Sequence, residues 1–119
     1  MNKEQTSKYF LAIYIALITF FIYVPSLQNE FVNWDDGIYV YTNYSIHTLN
    51  FIFLKWAFSS YAANWHPLTW FSHAIDYALW GLNTVGHHLT SIVLHGLNTF
   101  LVVLLIARLL DSSRKIQTN

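Results

Sequence analysis

An all-α integral membrane fold, with two transmembrane helices joined by an outer loop that carries two short interfacial helices, is what this sequence predicts. Three observations carry that expectation. Only 10% of the 119 residues are charged while 55% are hydrophobic, against about a quarter charged in an ordinary soluble domain, which is too little charge for a surface that faces water on all sides. Two long apolar runs stand near the two ends of the chain. The charges are sorted around them: Lys3 and Lys8 precede the first run, Arg108, Arg114 and Lys115 lie at or beyond the end of the second, and Lys55 alone lies between. The same composition excludes other classes. The absence of cysteine rules out a disulfide-stapled domain, a thiolate metal site and a cysteine nucleophile. Six basic residues against six acidic ones leave no polybasic footprint, so no nucleic-acid partner is expected.

The first run, residues 9–24, is apolar or aromatic except for Thr19 and is bounded by Lys8 and Pro25. It gives roughly 24 Å of helix at about 1.5 Å per residue, slightly short of a hydrocarbon core of about 30 Å unless its interfacial ends are counted. A signal peptide is the competing reading, but no small-residue cleavage site follows the run. The second run, residues 89–110, is long enough to span without such allowance. By the positive-inside rule, residues 1–8 and 111–119 face the cytoplasm and residues 25–88 face outward. The membrane is then that of the endoplasmic reticulum or the bacterial inner membrane. The last stretch, polar from Ser112 onward, is expected to be disordered.

The outer loop is net acidic, with Glu30, Asp35, Asp36 and Asp76 against Lys55. Residues 50–60 are too short to span and too apolar to float, and read as a re-entrant or interfacial helix. Residues 67–80 read as a second short helix, with Pro67 in a permitted first-turn position. There Leu68, Phe71, Ile75 and Leu79 form an apolar stripe, and Thr69, His73, Asp76 and Trp80 follow the same spacing on another face. Such a helix lies along a membrane surface. All five tryptophans, Trp34, Trp56, Trp65, Trp70 and Trp80, fall in this loop, as rings anchored at the headgroup level would.

Asp35 and Asp36 are the sharpest chemical feature. Adjacent side chains diverge on either a strand or a helix, so the two do not form one dyad. One carboxylate facing a reaction centre while the other holds the loop, or both touching one cation by different routes, is the functional reading, and a solvated Asp-Asp-Gly turn is the plainer one. Six histidines are present: His47, His66, His73, His87, His88 and His95. His73 and Asp76, three apart, have the spacing at which a carboxylate orients an imidazole. His88, Ser91, His95 and Asn98 form a polar stripe on the second span, which should face protein or water. No H-E-x-x-H motif and no compact zinc spacing occurs, so no metal ligands are expected, with a divalent metal left open. Asn43-Tyr44-Ser45 matches the glycosylation sequon.

Several linked segments, in order, resemble one family. Pro25-Ser26-Leu27-Gln28-Asn29, Phe31-Val32-Asn33-Trp34-Asp35-Asp36 with Tyr39-Val40, Asn64-Trp65-His66-Pro67-Leu68-Thr69-Trp70, Ser72-His73, Asp76, Gly81-Leu82-Asn83 and Gly86-His87-His88-Leu89 resemble the start of the transmembrane and tetratricopeptide-repeat protein O-mannosyltransferases and their bacterial relatives. The resemblance implies the multi-span GT-C glycosyltransferase fold. It also implies transfer of a sugar, typically mannose, from a polyprenyl phosphate carrier to a protein Ser or Thr hydroxyl with inversion. By motif position Asp35 or Asp36 would be the catalytic base, with His66, His73, Asp76 and His88 as substrate-binding candidates. Members of that family continue through many more spans and usually end in tetratricopeptide repeats. The expectation is therefore an N-terminal module, inactive alone, whose partners are the lipid-linked donor, a protein acceptor, membrane lipid and further transmembrane helices. Two alternatives stand beside it: a non-catalytic small membrane protein that pairs with a partner subunit, and a histidine-ligated metal or haem membrane protein.

Overall fold

The computed structural model describes residues 3–61 and 64–117, and every regular element among them is helical. There are four α-helices, α1 (Lys3–Tyr23), α2 (Phe51–Ser59), α3 (Pro67–Trp80) and α4 (Thr84–Gln117), and three short 3-10 or π-helical turns, Val24–Gln28, Gly37–Tyr41 and Tyr44–His47, which all lie between α1 and α2. The chain divides into two compact units, residues 1–25 with 91–119, and residues 26–90.

In the first unit α1 approaches α4 where small residues stand: Ala12 is fully buried, and a Cβ placed on Gly96 would lie 3.6 Å from the Ala16 carbonyl oxygen. Small residues of this kind let two apolar helices approach closely without a large core. Both helices are long and apolar enough to cross a membrane, and the apolar window of each is almost wholly exposed. The helices outrun their apolar stretches. At one end Lys8 pairs with Glu4 one turn away and with Asp111 across the unit. The expected disorder from Ser112 onward is corrected, since α4 continues to Gln117. No glycine or proline interrupts this stretch, and the Ser113 hydroxyl donates to the Leu109 carbonyl. Of the terminal segments, residues 1, 2, 118 and 119 lie outside the described residues.

The second unit has the molecule's aromatic core. Ile46, Phe53, Ala57, Trp70 and Ala74 are buried together, with Tyr39, Trp56, Phe71 and Tyr77 packed around them. The Asn50 side chain accepts from the Phe53 backbone N–H at 2.9 Å and so caps α2. Pro67 opens α3 at a position where no backbone donor is needed. Gly81 ends α3 with φ +60°, a backbone that side chains with a Cβ rarely adopt. Its N–H still bonds the Tyr77 carbonyl. On α3 the face turned inward holds Pro67, Trp70, Ala74 and Asp76. The expected apolar stripe is turned outward, with Leu68, Ile75 and Leu79 exposed and Phe71 half-buried. Anchoring by all five tryptophans is accordingly corrected: Trp70 has no exposed surface and Trp56 packs against it, while Trp34, Trp65 and Trp80 are exposed. Asn43 is buried too, and its Oδ1 accepts from the Ser45 N–H at 3.2 Å, so the sequon-like triplet forms a local cap.

Candidate functional site

The candidate site lies within the second unit, where three segments distant in sequence meet. The first is the turn after Asp35 and Asp36. Asp35 is exposed, whereas Asp36 is half-buried and its Oδ2 accepts from the Val32 backbone N–H at 2.8 Å. That bond folds the chain back over the acidic pair and leaves Tyr39, on the π-helical turn that follows, directed into the core. The second segment is the start and middle of α3, which supplies His66, His73 and Asp76. The third is the first turn of α4, which supplies His87.

Tyr39 joins the first two segments. Its ring stacks on His66 with centroids 5.2 Å apart, meets His73 edge-on at 6.0 Å and packs on Trp70 at 5.0 Å. His73 is partly buried, and that burial holds its imidazole below the usual pKa, opposed by the neighbouring Asp76 carboxylate. Asp36, His87 and His66 also act on it electrostatically. An imidazole shifted down in this way is neutral at pH 7 and so can offer a lone pair. Its Nδ1 is in fact buried with no hydrogen-bond partner, as is Nε2 of His66.

Asp76 and His87 are the most enclosed polar groups of the cluster, 5% and 7% exposed. His73, Asp76 and His87 each offer one ligand atom, and these atoms lie within 4.8 Å of one another. The turn between α3 and α4 makes this possible. The Asn83 side chain accepts from the Val85 N–H at 3.1 Å, and the Asn83 carbonyl accepts from Gly86 N–H at 3.1 Å. Trp80 covers the turn so closely that a Cβ on Gly86 would fall 2.2 Å from the indole Cγ. His87 Nε2 donates to the Gly81 carbonyl at 2.9 Å, which selects the tautomer with its acceptor lone pair on Nδ1. The edge of Phe31 closes against the same ring, 5.4 Å away.

Of the residues singled out from sequence, Asp36, His66, His73 and Asp76 thus belong to one neighbourhood. Asp35 is exposed beside it. His88 is half-buried with Nε2 enclosed and without a hydrogen-bond partner, and it is outside the His73, Asp76 and His87 group. Tyr39 and His87 were not among the expected site residues. Their signal was weak but present: a tyrosine just after an acidic turn, and a histidine directly after a glycine in Gly86-His87-His88. Comparison of the chain with family models, with curated proteins and with solved structures gives no match.

Proposed function

We propose that this chain carries the outer-loop part of a membrane glycosyltransferase, which moves a sugar from a polyprenyl phosphate carrier to a protein Ser or Thr hydroxyl. In this reading Asp36 is the base. Its carboxylate takes the hydroxyl proton, the freed oxygen forms a bond to the anomeric carbon, and the bond from that carbon to the phosphate oxygen breaks. The lipid phosphate leaves with the electron pair, and the configuration inverts. Mannose is the sugar that the motif resemblance favours.

The observation that carries the proposal is the meeting of the resembling segments. Asp36, His66, Asp76 and His87 come from separate motifs, yet each acts electrostatically on His73, and His66 and His73 both pack on Tyr39. Partial burial and the bond from Val32 N–H distinguish Asp36 from the exposed Asp35 and hold its carboxylate in place beside the cluster, where a general base must be positioned. The two apolar helices serve as membrane spans. Basic flanks set both termini in the cytoplasm, so the acidic unit meets its substrates on the opposite face. An apolar groove lined by Ile13, Leu17, Phe20, Val93, Leu97 and Phe100 suits packing by further transmembrane helices, which would help to hold the lipid carrier.

The test introduces Asp36→Asn and Asp35→Asn at the native locus and measures sugar transfer to a Ser/Thr peptide in isolated membranes, with expression and insertion checked. Asp36→Asn is expected to lower transfer by about 10²- to 10⁴-fold, the range for a general base, and Asp35→Asn to leave most of it. Full transfer by the Asp36→Asn protein would reject the assignment.

A further inference from the structure

We infer that His73, Asp76 and His87 form a binding site for a divalent late transition metal, with zinc(II) as its natural occupant. The inference stands apart from glycosyl transfer and needs only the geometry of the α3–α4 corner.

Asp76 is a carboxylate with 5% of its surface exposed. Among the described residues no lysine or arginine forms an ion pair with Asp76. A buried carboxylate without a cation is costly, and a metal ion supplies the missing charge. The donors are correct for such an ion. His73 and Asp76 stand one turn apart on a single face of α3, and His87 is brought back to them by the Gly81 turn. Their ligand atoms lie within 4.8 Å of one another. Tetrahedral coordination at about 2.0–2.1 Å places donor atoms roughly 3.3 Å apart, a contraction that side-chain rotation can supply.

Two further features are those of a metal site. His73 Nδ1 is buried with no hydrogen-bond partner. His87 donates its Nε2–H to the Gly81 carbonyl, the outer-shell bond by which metal-binding histidines are commonly oriented. Two imidazoles with one carboxylate favour zinc and its neighbours in the first transition row over magnesium or calcium, which take oxygen ligands. Three protein ligands leave a fourth position for water or an anionic oxygen.

The full chain, purified in detergent and stripped with EDTA, is to be titrated with zinc(II) in competition with a chromophoric chelator. One equivalent is expected to bind. Asp76→Asn and His87→Asn should each weaken binding by more than about 100-fold, beyond the range seen on loss of an outer-shell partner. His95→Asn, on the exposed face of α4, should leave it unchanged. Cobalt(II) should give the visible bands of a tetrahedral N/O site in the wild type and not in Asp76→Asn. Should the variants fail to fold, histidine carbethoxylation read by mass spectrometry tests the wild-type chain directly, and zinc is expected to protect His73 and His87. Binding well below one equivalent, retention of affinity in both folded variants, or absence of protection would each overturn the inference.

Discussion

Gly86 shows how much a single position decides at this site. Its missing side chain admits the Trp80 indole, whose Nε1–H donates to the Thr90 hydroxyl at 3.3 Å, and the residue that follows is His87. Gly86→Ala forces the indole or the turn to move, and such overpacking costs about 1–3 kcal/mol. A lowered thermal unfolding midpoint in detergent, followed by circular dichroism, is the expected result. Combining it with Trp80→Ala should recover part of the loss, because the two changes then share one space. Asp35 and Asp36 make the same point about position. Adjacent in sequence and chemically identical, they differ in burial because only Asp36 accepts the Val32 N–H.

At the scale of elements, local signals mark where the helices end, whereas which face turns inward depends on what they pack against. Pro67 and Gly81 mark the limits of α3, which runs from Pro67 to Trp80, and Asn50 marks the start of α2. These ends are visible in sequence because a ring without an N–H, a residue tolerant of positive φ and a capping amide act on their own backbone. Asn50→Ala is expected to destabilise the chain by about 1 kcal/mol, whereas Asn50→Asp, which keeps the acceptor, should cost little. Chemical denaturation of the detergent-solubilised chain measures both. Which face of α3 turns inward was not readable in this way. The larger apolar stripe, Leu68, Ile75 and Leu79, is exposed, and the buried face pairs Trp70 with Ala74. A hydrophobic stripe points to an apolar neighbour, and both a protein core and a lipid surface answer that description.

At the scale of the whole molecule, the sorting of charge about two apolar helices makes a prediction that the composition renders easy to test. The chain lacks cysteine, so single cysteines report their own position. Ser7→Cys and Ser112→Cys are expected to resist an impermeant maleimide added outside intact cells, and Ser59→Cys, on the exposed side of α2, to react. Labelling of Ser7→Cys or Ser112→Cys from outside would reverse the proposed topology.

The helical class, the two long apolar helices and the ends of α2 and α3 were determined by the sequence alone, because composition, periodicity and capping act over a few neighbouring residues. His73 with Asp76 was also legible, being a one-turn spacing within a single helix. His87 and Tyr39 were not. They reach the cluster only after the Gly81 turn reverses the chain and the turn after Asp36 folds inward, so their partners lie far from them in sequence. Tertiary structure likewise decided that Trp70 is core, because packing against Ile46, Phe53 and Ala74 removes it from the surface where a tryptophan beside a membrane would otherwise sit.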